Sequence, residues 1–307
     1  MNSINTDKCI LVTGGAGFIG ANLCRELLKR GESVVCVDCL YESNDHKIQD
    51  LIDHEKFDFV NININTLTNF KLRNIKQIYH LACPASPPRY QKDPIFTMET
   101  NYIGTKNMLE IAVLNKCPIL FTSTSEIYGD PTINPQVEEY TGNVNTQCIR
   151  SCYDEGKRFA ETMMFEYRMK YDLDTKIVRI FNTYGPYMDA EDGRVVSNFI
   201  NQCIDNTNIT IYGSGSQTRS LCYVSDMVDG LIKFMNSNEH GPINMGNPNE
   251  LTIKDLAVKI KNLAGSSSEI IHMPIPEGDP QLRCPNINKA IDRLKWIPTV
   301  DLDDGLL

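Results

Sequence analysis

The chain has 307 residues, 41% of them apolar, a net charge of −9 and eleven cysteines. That is enough apolar material for one large domain plus a smaller lobe, and the negative balance argues against nucleic acid or an anionic membrane as a partner. No apolar run approaches the ~20 residues that cross a bilayer, Met1 to Lys8 lacks an apolar signal core, and an odd number of cysteines scattered through apolar segments suits reduced thiols, so a cytoplasmic location is expected.

In chain order, Cys9 to Thr13 is a short apolar run that enters Gly14-Gly15-Ala16-Gly17-Phe18-Ile19-Gly20, after which Leu23, Leu27 and Leu28 recur at helical spacing. A strand, a glycine turn and a helix predict a phosphate cradle. Gly14, Gly17 and Gly20 let backbone approach a pyrophosphate, and the helix start offers N–H donors and a positive dipole end. Ser33 to Val37 reads as the second strand and ends in Asp38, the carboxylate expected to accept from an adenosine ribose. With no arginine directly after it, NAD is favoured over NADP. Cys36 and Cys39 span that strand end with no second pair at zinc-finger spacing, so no metal is assigned.

Further strands are expected near 57–62, 76–81, 118–123 and 175–180, and long helices near 94–115 and 151–171. The alternation predicts an α/β fold, a Rossmann-type doubly wound parallel sheet with a smaller C-terminal lobe. Ile119 to Ser123 is apolar and turns polar at its carboxyl end, where ligands of open α/β sheets bind, so Thr124, Ser125 and Glu126 should face a nicotinamide and a substrate. Tyr153 and Lys157 stand four residues apart on a predicted helix and so share a face. An ammonium beside a phenol lowers its pKa from about 10, which predicts Tyr153 as a base near neutral pH. After Ile180 the pattern becomes irregular, with helices near 195–206, 225–236 and 253–264 and part of a last helix beyond the Trp296-Ile297-Pro298 turn.

The glycine turn, the polar strand end and Tyr153/Lys157 together resemble the extended short-chain dehydrogenases/reductases, a superfamily of nucleotide-sugar epimerases, dehydratases and decarboxylases. Six blocks in order, His80 to Pro88, Arg150 to Arg158, Phe181 to Pro186, Asp192 to Phe199, Gly213 to Arg219 and Asp279 to Arg283, are similar to the UDP-glucuronate decarboxylase (UDP-xylose synthase) family nearly end to end. The resemblance implies a tightly bound NAD held by Gly14, Gly17, Phe18, Ile19, Gly20, Asp38, Asn63, Ile64, Leu81, Ala82, Asn101, Tyr153 and Lys157. It implies a UDP-sugar held by Pro84, Ala85, Asn182, Arg194, Val195, Tyr212, Arg219 and Arg283, with Tyr212 near the uracil and Arg283 at a phosphate or ribose. The division expected on the same basis is an NAD-binding domain over 1–180 and a mainly sugar-nucleotide-binding lobe over 181–307, with segments returning to the first domain.

Tyr153 would take the 4-hydroxyl proton, Lys157 would hold the ribose, Thr124 would bond the 4-oxygen, Glu126 would position the ring or a water, and Arg219 would hold the sugar carboxylate. Similar 4,6-dehydratases carry Asp where this chain has Ser125, an acid that protonates a departing hydroxyl. Loss of carbon dioxide needs no such acid, and a second carboxylate ~4 Å from the substrate's own would cost on the order of a few kcal/mol. Three positions depart from the family pattern: Tyr187 replaces a common Arg, Leu221-Cys222 replaces an aromatic-polar pair, and Asn63 stands where an Asp usually reaches the adenine amino group. The resemblance further implies a homodimer joined by a four-helix bundle of the 93–115 helix, the Tyr153 helix and their copies. The alternatives are a UDP- or dTDP-sugar 4,6-dehydratase or 4-epimerase and, against intact Thr124, Tyr153 and Lys157, a silent NAD-binding scaffold.

Overall fold

The computed structural model describes residues 8–41, 45–67, 74–274 and 282–307. Strand and helix alternate through the first half: β1 (Cys9–Thr13), α1 (Phe18–Lys29), β2 (Val34–Asp38), β3 (Phe57–Asn61), β4 (Ile75–His80), α2 (Pro87–Lys92), α3 (Pro94–Glu99), α4 (Thr105–Asn115), β5 (Ile119–Thr124), α5 (Ser151–Tyr171) and β6 (Thr175–Ile180). The second half carries β7 (Thr183–Tyr184), α6 (Val195–Ile204), β8 (Ile209–Tyr212), β9 (Thr218–Ser220), β10 (Cys222–Tyr223), α7 (Val224–Met235), β11 (Ile243–Met245), β12 (Glu250–Thr252), α8 (Ile253–Leu263), β13 (Ile270–Met273), α9 (Asn288–Leu294) and α10 (Leu302–Leu306).

Seven strands form one parallel sheet in the order β11-β6-β5-β4-β1-β2-β3. The chain starts in the middle, winds out through β2 and β3, then crosses back to β4, which places the switch point beside β1. β1 is buried along its whole length because both faces are covered. Ile10 and Val12 pack with α1, α7 and Trp296 on one side, while Leu11 packs with α4 and α5 residues such as Met108 and Met164 on the other. The chain order is therefore not the spatial order: β11 joins β6, and Leu231, Met245 and Trp296 complete the core under β1. A smaller core of Phe199, Ile209, Ile211, Leu256 and Ile260 sits between α6, α8 and β8.

The long helix expected over 94–115 is divided into α3, a π-helical turn over Thr100–Gly104, and α4. π-turns of this kind are local insertions that re-aim side chains, frequently at functional sites. At this turn Asn101 lies so close to α5 that a Cβ on Gly156 would stand 2.8 Å from its Nδ2. Among the described residues, no helix is long and apolar enough to cross a membrane.

The glycine turn is packed without slack, since a Cβ on Gly20 would lie 2.1 Å from the Gly14 carbonyl oxygen. Backbone cannot yield there without moving β1 or α1. Gly20→Ala should therefore cost about 1–3 kcal/mol, as overpacking does, seen as a lower midpoint in urea unfolding; an unchanged midpoint would show that the turn relaxes.

Candidate active site

The carboxyl ends of five sheet strands open into one cavity of about 630 Å³, bordered among others by Gly14, Asp38, Leu81, Thr124 and Ile180. At one end α1 begins at Gly17, which has no side chain to cap the helix, so its first-turn N–H groups face the cavity beside Phe18 and Ile19. Asp38 Oδ2 accepts from Ala16 N at 3.1 Å and Oδ1 from Leu40 N at 2.9 Å, which holds the carboxylate at the cavity edge. Burial pushes the Asp38 carboxyl up, against those N–H groups and the charge of Lys47. An uncapped helix start, a fixed carboxylate one strand away and a lysine at the far end together fit a dinucleotide.

The far end is built on β5 and α5. Lys157 is buried, and its Nζ donates to the Thr122 carbonyl oxygen at 2.8 Å. One turn earlier the Tyr153 phenol hydrogen-bonds the Thr124 hydroxyl and its ring stacks on Tyr90, centroids 5.0 Å apart. The expected lowering of the Tyr153 pKa by Lys157 is corrected here. Burial pushes the phenol well above its ordinary value, the bond to Thr124 and the charge of Arg194 oppose this, and Lys157 Nζ lies 5.8 Å from the ring centroid. Burial also pushes Lys157 down.

Glu126 follows directly from β5 and is the hub of the charged wall. Its Oε2 accepts from Arg150 and, at 3.2 Å, from Arg283, whose other terminal nitrogen donates to the Ser125 carbonyl oxygen at 2.6 Å. Burial disfavours the carboxylate, but Arg283, Arg150 and then Arg219 outweigh it and hold Glu126 below the usual carboxylate range. Glu126 is thus an anion and not a proton donor near neutral pH. Asp154, buried beside it, is pushed the other way, first by burial and then by the Glu126 charge.

Most of the remaining expected residues border the same cavity. Ile64, Ala82, Pro84, Ala85, Asn182, Val195, Tyr212, Arg219 and Arg283 all do, and Arg194 reaches across it to donate to the Ala85 carbonyl oxygen at 2.7 Å. Two residues lie off it. Asn63 caps a short turn by accepting from Asn65 N at 2.9 Å, and Asn101 is buried behind Cys83, donating to Thr97 O at 3.0 Å. Arg283 borders the cavity with its two terminal nitrogens donating to Glu126 and Ser125 and its Nε buried with no partner among the described residues. Asp279, Pro280 and Gln281 fall outside the described residues. Leu221 borders the cavity while Cys222 belongs to the core. Sequence reasoning missed Arg150 and Tyr90; the first lies three residues before Tyr153 at helical spacing, whereas nothing local marks the second.

The clamp on Glu126 sets a pH signature. Since the folded pKa is depressed, the pairing stabilises fully above the unfolded value of about 4.3 and is lost as pH falls through the folded value. Arg283→Met leaves Arg150 in place, so its cost should fall at the lower end of the ~3–5 kcal/mol of a broken buried pair. In thermal melts from acid to neutral pH, the gap between native and variant should be full above about pH 5 and narrow below about pH 4; a gap that stays flat would assign the cost to packing alone.

Residues 10–246 match the NAD dependent epimerase/dehydratase family. The chain is 49% identical over 298 residues to UDP-glucuronic acid decarboxylase 3 of Arabidopsis thaliana, covering 97% of this chain and 86% of that protein. It is 48% identical to UDP-glucuronic acid decarboxylase 1 of Xenopus tropicalis, covering 97% of this chain and 70% of that one. Among solved structures, a UDP-glucuronic acid 4-epimerase mutant from Bacillus cereus, in complex with UDP-4-deoxy-4-fluoro-glucuronic acid and NAD, superposes with a TM-score of 0.88 at 28% identity, covering 97% and 96% of the two chains. The chain belongs to the NAD dependent epimerase/dehydratase family and, within it, to the UDP-glucuronic acid decarboxylases.

Proposed function

We propose that this enzyme converts UDP-glucuronate to UDP-xylose by NAD-dependent decarboxylation through a 4-keto intermediate. The observation that carries the reading is the wall beyond β5: one carboxylate, Glu126, among Arg150, Arg219 and Arg283, with Ser125 where a leaving-group acid would otherwise stand. That wall is net positive, so it attracts a sugar carboxylate, and the arginines remove the repulsion that Glu126 would otherwise exert on it.

Bound beside the helix start at Gly17 and Asp38, NAD would supply the acceptor for the C4 hydride and the donor that restores it, with Tyr153 giving the proton back to the 4-oxygen. Tyr153 takes the 4-hydroxyl proton through an arrangement already joined to Thr124, which bonds the 4-oxygen. Lys157, held by Thr122, would offer its remaining N–H groups to the cofactor ribose. Once C4 is a carbonyl, the C6 carboxylate is that of a β-keto acid, and the electrons released with carbon dioxide flow into that carbonyl. Thr124 and Tyr153 stabilise the charge on the 4-oxygen. Arg219 holds the departing carboxylate and assists reprotonation at C5, while Glu126, locked as an anion, positions the ring or a water. Asn182, Arg194 and Val195 serve the diphosphate side, Tyr212 the base, and the described part of 1–180 serves NAD, with 181–307 serving mainly the sugar nucleotide.

Mass spectrometry of the NAD-loaded protein offered UDP-glucuronate or UDP-glucose separately is the test. Loss of carbon dioxide from the first, giving a UDP-pentose, is expected; loss of water from the second with the first untouched would favour a 4,6-dehydratase. Tyr153→Phe should lower turnover by at least ~10²-fold, as loss of acid–base catalysis does, and Arg219→Ala should affect decarboxylation far more than NAD binding. Equal activity in either variant would remove that residue from the mechanism.

We also propose a homodimer. Met98 and Tyr102 before α4 and Phe159, Phe165 and Met169 on α5 are exposed, a patch of the kind that marks an interface, and α3 and α4 each pack against α5, a pairing that a second copy would double into a four-helix bundle. Eleven unpaired thiols suit a reducing compartment, the cytoplasm. Light scattering should give twice the chain mass of 34.7 kDa, and Phe165→Glu with Met169→Glu should give the monomer; a native monomer would sink the proposal.

A further inference from the structure

Three segments remote in sequence meet at the rim of the cofactor cavity, outside the catalytic cluster. Lys47, on a turn over Asp45–Leu51 that follows β2 and Asp38, is 1% exposed, and its Nζ lies 2.6 Å from Asp189 Oδ2. Arg89 on α2, itself a border of the cavity, donates to the same oxygen. The segment carrying Asp189 is tied to α1 as well: Asn22 Nδ2 donates to the Pro186 carbonyl oxygen at 3.0 Å, and the Arg25 guanidinium lies 3.8 Å from the centroid of the Tyr187 ring. Tyr187 is the residue that replaces the family's usual arginine, and it adopts φ +69°, a conformation that non-glycine residues hold only when their surroundings enforce it. Arg25 closes the ring by donating to the Lys47 carbonyl oxygen at 2.6 Å.

A buried ion pair contributes little net stability compared with an apolar contact, because desolvation offsets attraction. What it supplies is a fixed register, and, unlike an apolar seam, it can part into water with its charges resolvated. Burial works against the Asp189 charge, but hydrogen bonds from Lys47 and Arg89 outweigh it and hold the carboxyl below its ordinary range. Immediately after Asp189 the chain leads through Asp192 and Arg194, both borders of the cavity, into α6, so whatever fixes Asp189 also steadies that stretch of the cavity wall.

We propose that Lys47, Asp189 and Arg89 form a clasp of positioning residues that closes the cavity over bound NAD and sets the rate at which the cofactor leaves. The clasp joins the turn after the ribose-binding carboxylate to the segment that opens the sugar-nucleotide lobe, and Tyr187 under Arg25 aligns it. It contributes no group to the chemistry. NAD release requires the Asp189 segment to lift from Lys47 and Arg89.

The test is stopped-flow release of NADH, followed by its fluorescence, from native chain and from Asp189→Asn, Asp189→Glu and Arg89→Gln, with thermal melts of each cofactor-free protein. Release should be about tenfold faster in Asp189→Asn and about threefold faster in Arg89→Gln, with recovery toward the native rate in Asp189→Glu, as expected when a lost charge pair acts on dissociation. The cofactor-free melt should stay close to native in Arg89→Gln, whose side chain is partly exposed, and should fall in Asp189→Asn, which leaves the buried Lys47 charge without its anion, so release is compared well below each midpoint. Unchanged release in folded Asp189→Asn overturns the clasp; should that variant not fold, unchanged release in Arg89→Gln, whose side chain is partly exposed, overturns it. The inference rests on the NAD reading, and the native chain is its control: no NADH binding there overturns both, whereas normal binding with unaltered release in the variants overturns the clasp alone.

Discussion

A buried ammonium organises the catalytic end of this molecule. Lys157 donates to the Thr122 carbonyl oxygen at 2.8 Å and is 2% exposed, so α5 cannot slide along β5 without leaving a charge unpaired in the interior. That one contact sets the phase of the helix. Tyr153, one turn earlier, then meets Thr124 at the end of β5, and Arg150, at the helix start, meets Glu126 directly beyond it. Gly156 allows the approach, because any side chain there would strike Asn101 on the π-turn before α4.

Charge in the site is arranged in opposition. Glu126 is held ionised by arginines from α5 and from the C-terminal stretch, while neighbouring Asp154 and Tyr153 are pushed toward their neutral forms by burial. A carboxylate that stays an anion does not act as an acid, and a phenol with a raised pKa gives up its proton only when the loaded site favours it. The same arrangement distinguishes loss of carbon dioxide from loss of water, since the first needs an electron sink and a grip on a carboxylate, and the second needs an acid. Further out, the ion pairs on Asp189 link the two sides of the cavity through register and not through chemistry.

Legibility in the sequence followed the range of the interaction. The strands expected near 8–13, 33–38, 118–123 and 175–180 are within a residue or two of β1, β2, β5 and β6, because a parallel sheet covered on both faces demands continuous apolar runs. The helix expected over 94–115 exists, but nothing in its periodicity marks the π-turn at Thr100–Gly104, which is set by contacts with Asn65, Ile64 and Gly156. Asn63 and Asn101 were expected at the cofactor; Asn63 Oδ1 accepts from the Asn65 backbone, and Asn101 Nδ2 donates to the Thr97 carbonyl while its buried Oδ1 has no partner among the described residues.

By itself the sequence determined the alternating α/β pattern, the glycine turn before a helix, and the Tyr153/Lys157 face, since each depends on residues within a few turns of one another, where spacing dictates geometry. Only the tertiary structure decided the protonation of Tyr153 and Glu126, the spending of Arg283 on Glu126 and Ser125, and the meeting of Lys47 with Asp189 across 142 residues. The physical reason is that burial and charge pairing depend on which distant side chains share a dry volume, and that is fixed by packing and not by spacing along the chain.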